Sequence, residues 1–405
     1  MSYNSSNTAT PKRVLMIAQS TYDYDARIIR YCKALKEIGV QVDVICYNYN
    51  KQKIFEVLDG VNVYRIIDFN NKDSIFNYIL FSLRFLIKAL FKTIALHRRN
   101  NYSLIHVHNM PDYLVFAAIY PKLKKVPVIL DIHDLTVELF KEKWFEKKFR
   151  LFKPLLILTE KLSCSFADHV ISVTKECIDI LISRSVKKEK ITLIMNAPDD
   201  SLFTYDDSRF RKNGSDKTIR ILYHGTLAKR FGLHHTVEAI KIVSGIYPEI
   251  EFHIYGNKDS EYAGELRDLA ERLKISDKII INQSVPHDRV NELIKKYDVG
   301  IVTYEPTEYM HLAFPTKAGE YALTGLPMII TELKAIKSVF NNNSVIYINY
   351  PDSKKIAASL LEIVYDKNKR KIFSENCYAD IRNFSWSNMK RSYLSIISKH
   401  LNFNQ

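Results

Sequence analysis

The sequence predicts an α/β protein made of two doubly wound, parallel-sheet domains. Three observations carry that prediction. Short apolar runs alternate with helical patterns along most of the chain. The first of them form a strand, loop, helix, glycine, strand unit at the outset. The alternation breaks at a polar stretch near the middle and then resumes.

From Arg13 the run VLMIA reads as a parallel strand buried on both faces. A polar loop, QSTYDYDAR, leads to a helical pattern of Ile28, Ile29, Cys32, Leu35 and Ile38 that stops at Gly39. The strand VQVDVICY follows at once, completing a βαβ unit. Further units are read at SLIHVHN, VPVILDIHD and HVISVT, the last preceding the helix of KECIDILIS. The text then turns polar in APDDSLFTYDDSRFRKNGSDK, a linker composition. Alternation restarts with IRILYHG and continues through EFHIYG, KIIINQ, VGIVTY and MIIT, with helices between them. The expected organisation is a disordered tail over 1–12, a first domain over 13–197, a linker over 198–216, a second domain over 217–382 and a final helix over 383–405.

At 405 residues, with 47% hydrophobic and 26% charged residues, the composition is that of a globular protein rather than a disordered one. A formal charge of +14 favours anionic partners: nucleic acid, anionic lipid or phosphorylated small molecules. No zinc-finger, RNP or helix-turn-helix pattern is present, so nucleic acid is not an expected partner. The five cysteines form no CxxC pair and fit reduced thiols in a cytosolic protein. The opening MSYNSSNTAT has no apolar core for a signal peptide.

Residues 75–96, IFNYILFSLRFLIKALFKTIAL, are nearly continuous apolar text interrupted by Arg84, Lys88 and Lys92. At 100° per residue these cations fall within an arc of about 80°. A spanning helix would bury all three, at roughly 2.5–3.5 kcal/mol each. A helix in the interfacial plane keeps them among head groups. The competing reading is a core-facing helix with a wide apolar face. In KEKWFEKKFRLFK (141–153), Lys141, Lys143, Lys147, Lys148, Arg150 and Lys153 interleave with Trp144, Phe145, Phe149 and Phe152. That mixture suits an anionic bilayer surface.

The stretch FPTKAGEYALTGLP (314–327) lies between two apolar strand runs. Pro315 is suited to a first helical turn, so Thr316 and Lys317 would present free N–H groups to a phosphate. Glu320 has two oxygens for two vicinal hydroxyls of a ribose. Its alternative is a solvated surface acid. In YHGTLAKRFGL, Gly225, Lys229 and Arg230 follow the second domain's first strand, at the sheet edge where such folds bind ligands. Arg230 offers paired hydrogen bonds to a diphosphate.

YHGTLAKRFGL, INQSVPHDRVNELIKKYDVGIVTY and PTKAGEYALTGLPMI together resemble the donor domain of glycosyltransferase family 4. QSTYDYDARIIRYCKAL, HVHNMPDYLVFAA, VILDIHDLTVEL and EKLSCSFADHVISVT resemble the family's first domain in order. The resemblance implies a GT-B fold: two Rossmann-like domains facing across a cleft, with the last helix crossing back onto the first. It implies a metal-independent transferase that moves a sugar from a nucleotide-diphosphate sugar with retention, and needs no other cofactor. Carried over, Arg230 and Lys229 bind the diphosphate with Gly225, Thr316 and Lys317 beside them. Glu320 holds the ribose, Ser284 and Val285 meet the base, and His133 stands near the transferred sugar. Tyr22, Asp25 and Arg27 replace the family's glycine-rich loop and are read, with Asn109, Asp112, Asp134 and Glu138, as acceptor-binding; for the last four, capping and turn roles are the alternative.

One departure concerns the family's first glutamate, whose position holds Leu312 with only His311 and Glu308 polar nearby. The expected function is sugar transfer to a lipid-linked glycan acceptor in cell-surface polysaccharide biosynthesis, by a cytoplasmic enzyme peripheral at the inner membrane face. A nucleotide-sugar 2-epimerase of the same fold and a non-catalytic membrane-bound protein are the alternatives.

Overall fold

The computed structural model describes residues 11–69, 75–143, 146–210 and 218–402. Trp144 and Phe145, the side chains of residues 143–149, and residues 1–10 and 211–217 lie outside the described residues, and with them parts of the expected tail, linker and second basic cluster. The chain forms two compact units. The first holds residues up to Val173, Cys177–Ile194 and Lys390 onward; the second holds Thr174–Glu176 and Met195–Met389.

The first unit is built on an eight-stranded sheet of β1 (Arg13–Ala18), β2 (Gln41–Asn48), β3 (Phe55–Leu58), β4 (Val61–Asp68), β5 (Leu104–His108), β6 (Val128–Ile132), β7 (His169–Ser172) and β8 (Ile191–Leu193). Their spatial order is β3-β4-β2-β1-β5-β6-β7-β8. All neighbours are parallel except β3 and β4. That pair is a hairpin absent from the sequence reading. Its turn, Asp59-Gly60, has φ of 47° and 73°. Two positive φ values mark the tight turn whose twist matches paired strands, and Asp-Gly between alternating apolar residues is its signature.

The second unit has six parallel strands: β9 (Ile219–His224), β10 (Ile250–Gly256), β11 (Ile279–Gln283), β12 (Val299–Val302), β13 (Met328–Thr331) and β14 (Ile346–Ile348). They are ordered β11-β10-β9-β12-β13-β14. In both sheets the chain starts at a central strand, builds to one side, then jumps to the other. The reversals fall between β1 and β5 and between β9 and β12. Outside the carboxyl ends of such strand pairs lies the crevice where open α/β sheets hold ligands.

The helix Ile75–Asn100 packs the stripe Phe81, Phe85, Ala89, Thr93 and Leu96 against the first unit. A second apolar stripe stays outside, with Phe76 70% and Phe91 66% exposed. One face of this segment is thus core, as the core-facing expectation has it, and another face is open. Among the described residues, no helix is long and apolar enough to cross a membrane.

Lys390 onward, most of the helix Trp386–Leu401, belongs to the first unit. Tyr393 stacks on Tyr31 with centroids 4.1 Å apart, and its hydroxyl lies 3.2 Å from His106 Nδ1. Beside them is the unit's main buried ion pair. Asp131, fully buried in β6, accepts two hydrogen bonds from Arg27, each 2.9 Å. The guanidinium also donates to the Ile194 carbonyl at 2.8 Å. Burial alone would raise the Asp131 carboxyl; Arg27 and His133 hold it well below the usual carboxylate range.

Removing one member of such a pair leaves the other charge buried and alone. Arg27→Leu or Asp131→Leu is expected to cost about 3–5 kcal/mol, while the double substitution costs much less than the sum. Urea unfolding of the first unit measures this; additive losses would contradict it.

Candidate active site

In the second unit the sheet edge at the β9/β12 reversal gathers a group of charged and aromatic side chains. β9 ends at His224, and the chain turns away at Gly225 with φ +119°. A Cβ there would sit 3.1 Å from the Nζ of Lys317, and the conformation itself is one L side chains rarely adopt. Glycine therefore keeps the backbone open beside the ammonium.

Lys317 is on the helix Thr316–Leu323, one residue later than the start expected at Pro315, which is its N-cap. The cap makes no side-chain hydrogen bond to the first N–H groups. The lysine is only 7% exposed. Its Nζ lies 3.6 Å from the Tyr223 ring centroid, 5.3 Å from Phe231 and 5.6 Å from Tyr304. Burial pushes the ammonium down to about 7 against the pull of Glu320. Among the described residues, no carboxylate lies within ion-pair distance of it.

Glu320 stands one turn further on, buried, with an oxygen 3.3 Å from His224 Nε2. Burial, helped by Lys317, pushes His224 down to about 3. That imidazole is neutral, so the contact is not an ion pair. Arg230 is exposed on the turn Lys229–Phe231, its Cζ 5.0 Å from the Phe231 centroid. Arg230 and Lys317 thus share one aromatic ring. Lys229 departs from the expected pairing: it reaches 3.1 Å to Glu265 and is 72% exposed. Exposed pairs of this kind bind weakly.

Thr316 is exposed at the helix start. Ser284 and Val285 follow β11, and the Ser284 N–H donates to the Gly256 carbonyl at 2.8 Å. They share the same sheet edge, two strands from β9. Leu312 is buried, and its carbonyl accepts from the Thr174 hydroxyl at 3.0 Å. His311 accepts from the Lys334 N–H at 3.3 Å.

The first unit carries a histidine cluster at the β1/β5 reversal. His108 of β5 pairs in register with Asp131 of β6. His133, on the loop after β6, has Nε2 3.3 Å from Asp131 and 3.2 Å from His108 Nδ1. Two ring nitrogens that close require one proton between them, so the tautomers are tied together. Asn109 fixes the loop: its oxygen accepts from the His133 N–H at 2.8 Å, and its amide donates to Asp112 at 2.9 Å and to the Asp134 carbonyl at 2.7 Å. Asp112 is buried, and burial raises its carboxyl. Glu138 pairs with Arg184, which also holds Glu160 at 2.9 Å.

Three residues read as acceptor-binding also have partners or burial within the first unit. Tyr22 is buried, Asp25 caps the helix Ala26–Glu37 by accepting from the Ile28 N–H at 3.2 Å, and Arg27 is taken by Asp131. The sequence reading missed Asp131, His106 and His108. An acid inside the apolar run VILDI, and alternate histidines in LIHVH, were the signals, because a strand buried on both faces must neutralise them internally.

Two groups have metal-ligand spacing: His106, His108 and Asp131, and His234, His235 and Glu305. In the first, Arg27 already occupies both Asp131 oxygens. In the second, His235 Nε2 lies 3.3 Å from Glu305, and His234 Nδ1 lies 2.9 Å from the Tyr262 hydroxyl.

Comparison with known proteins extends over nearly the whole chain. The family model described as Glycosyltransferase Family 4 matches residues 26–202, and that described as Glycosyl transferases group 1 matches residues 205–380. No curated protein sequence matches. Among solved structures, sucrose-phosphate synthase from Thermosynechococcus elongatus is 17% identical, covering 97% of this chain and 100% of that one with a TM-score of 0.74. HepE of Anabaena in complex with UDP is 15% identical, covering 96% and 100% with a TM-score of 0.69. The lipopolysaccharide outer core galactosyltransferase WaaB is 13% identical, covering 96% and 99% with a TM-score of 0.64. At these identities the structural likeness establishes the fold, and the family models establish membership. The chain belongs to glycosyltransferase family 4, with the GT-B fold and a nucleotide sugar as its donor.

Proposed function

We propose that this enzyme transfers a hexosyl group from a UDP-sugar, with retention, to a lipid-linked glycan acceptor at an anionic membrane surface. The observation that carries the donor half is the buried ammonium of Lys317 at the β9/β12 reversal, without a paired carboxylate among the described residues and with Arg230 on the same aromatic ring. The complexes of HepE with UDP and with UDP-glucose supply the base and the sugar class.

In this reading Arg230 and Lys317 hold the diphosphate, with the exposed N-terminus of the helix Thr316–Leu323 adding N–H groups and its dipole. Gly225 lets the phosphates approach the backbone. Glu320 takes the ribose hydroxyls, and Ser284 and Val285 meet the uracil. Lys229, turned to Glu265, contributes to the local field only. As the bond from the sugar's anomeric carbon to the diphosphate breaks, negative charge collects on the departing oxygens. Side-chain cations and helix N–H groups already in place stabilise that charge. The acceptor oxygen bonds to the same face of the anomeric carbon, and its proton passes to the departing diphosphate. His133 orients the sugar or the acceptor, its ring fixed by Asp131, His108 and Asn109. Asn109, Asp112, Asp134 and Glu138 make up the acceptor side.

The membrane half rests on the helix Ile75–Asn100. Its outer face carries Phe76, Ile79, Leu83, Ile87 and Phe91 next to the exposed Arg84 and Lys88. Contiguous apolar surface flanked by cations fits an anionic interface. Lys92 takes less part, since its ammonium rests 4.4 Å from the Tyr64 ring centroid.

Two outcomes test this. Lys317→Met is expected to weaken UDP binding about thirtyfold or more, the equivalent of about 2 kcal/mol, and Arg230→Ala about tenfold, with turnover unaffected by EDTA. Calorimetry and donor-hydrolysis assays check both, and unchanged affinity in either variant would remove the donor site. Arg84→Glu/Lys88→Glu is expected to abolish binding to vesicles containing phosphatidylglycerol while sparing UDP binding; unaltered co-sedimentation would remove the membrane half.

A further inference from the structure

The second unit carries one cluster of titratable side chains that donor binding does not use. His234 and His235 occupy the first turn of the helix Leu233–Ser244, which follows directly on the turn bearing Arg230. Glu305 comes from the loop after β12. One nitrogen of each imidazole and one carboxylate oxygen lie within 4.8 Å of one another. His235 Nε2 is already 3.3 Å from Glu305. Bonds of about 2.0–2.1 Å from a tetrahedral zinc ion set its ligand atoms about 3.3 Å apart. Side-chain rotation then has at most about 1.5 Å to close.

Proximity alone does not make a metal site. A metal-binding histidine also has its other nitrogen held by an outer partner, which fixes the ring and the tautomer. Both histidines here have one. His234 Nδ1 lies 2.9 Å from the hydroxyl of Tyr262, on the helix Glu261–Arg272. The same oxygen accepts from the His234 backbone N–H at 3.2 Å, and with Nδ1 so engaged Nε2 is left for an ion. His235 Nδ1 faces Glu238 at 3.9 Å while its Nε2 faces Glu305. Tyr350 stands beside Glu305, whose charge pushes the phenol up. There is also a way in: His234 forms part of the wall of an open cavity of about 520 Å³, with room for water as a fourth ligand. The other group of this spacing, His106, His108 and Asp131, is closed by burial, and Arg27 holds both carboxylate oxygens.

We propose that His234, His235 and Glu305 bind one divalent ion of the zinc class, which staples the Arg230 turn to the loop after β12. Imidazole and carboxylate ligands suit zinc. The two loops already meet: the Glu305 N–H donates to the Arg230 carbonyl at 2.9 Å, and the Thr303 hydroxyl to the Phe231 carbonyl at 3.2 Å. The ion holds them together and touches neither diphosphate nor sugar, so the transfer itself stays metal-independent. Zinc binding is independent of the donor reading and stands or falls without it.

The test uses the full chain, free of any polyhistidine tag, with zinc chloride as titrant and no nucleotide present. Calorimetry is expected to give one saturable site per chain. Cobalt(II) is expected to give the intense visible bands of a four-coordinate ion, bleached when zinc displaces it. His235→Asn and Glu305→Gln are each expected to weaken zinc binding at least tenfold, and Tyr262→Phe, which removes only an outer hydroxyl, about tenfold. All three should unfold in EDTA close to wild type, which shows that they fold. Zinc should raise the wild-type unfolding midpoint by about 3 °C or more, and EDTA should reverse this with turnover unchanged. No saturable zinc site, or one that neither His235→Asn nor Glu305→Gln weakens, overturns the proposal. Wild-type cobalt bands of the weak, six-coordinate kind overturn it independently of any variant. Turnover that EDTA abolishes and zinc restores overturns the staple and places the ion in the chemistry.

Discussion

The second unit is organised around one unfavourable placement, an ammonium taken out of water and met by aromatic faces, with no paired carboxylate among the described residues. The Tyr223, Phe231 and Tyr304 rings attract the Lys317 charge but do not replace its hydration. The nearby Glu320 pulls its protonation upward without closing an ion pair. Much of the surrounding construction follows from this. Glycine at 225 leaves room for the Nζ, and the helix start at Thr316 is left without a side-chain cap. His224 is held neutral and adds no competing charge. A lysine held out of water in this way gains its full charge when an anion binds, and the charged form then stabilises a departing diphosphate.

The two sheets share a topology and differ in how they settle charge at the reversal of strand order. In the first unit Arg27 and Asp131 neutralise each other, and three histidines pack around them. Burial holds His106 well below its ordinary value, with His108 adding to the effect, so that ring stays neutral. What remains is an ordered platform from which His133 projects, 19% exposed. In the second unit, among the described residues, no carboxylate pairs with the Lys317 ammonium. One edge thus settles its charge internally, and the other leaves a cation without a paired carboxylate.

Much of the strand order was legible because a strand buried on both faces must be apolar throughout, and VLMIA, SLIHVHN and VGIVTY show it. The β3–β4 hairpin was missed although Asp59-Gly60 announces it, because attention to parallel units passes over a short antiparallel pair. The basic arc of the 75–96 helix was legible from its period. Which of its apolar faces is covered was not, since Phe81 and Phe91 differ only in what tertiary packing lays over them. The donor residues are visible as a lysine and an acid three apart. Their burial is not, because it depends on Tyr223 and Tyr304 arriving from other strands. Asp25 and Arg27, read as acceptor-binding, also form a helix cap and a buried ion pair, roles that the same residue types fill equally well and that the sequence alone does not separate.

The account turns on Lys317 being partly neutral until an anion arrives. Burial pushes its ammonium down to about 7 in the free enzyme, so a neutral fraction is present at neutral pH. A bound diphosphate favours the charged form, so binding must draw protons from solution, and affinity must fall as pH rises above about 7. Calorimetry of UDP binding at pH 7, in two buffers of different ionisation enthalpy, measures this directly. Net proton uptake that is lost in Lys317→Met is the predicted result; an unchanged proton exchange in Lys317→Met, or no uptake attributable to this lysine, would contradict the account.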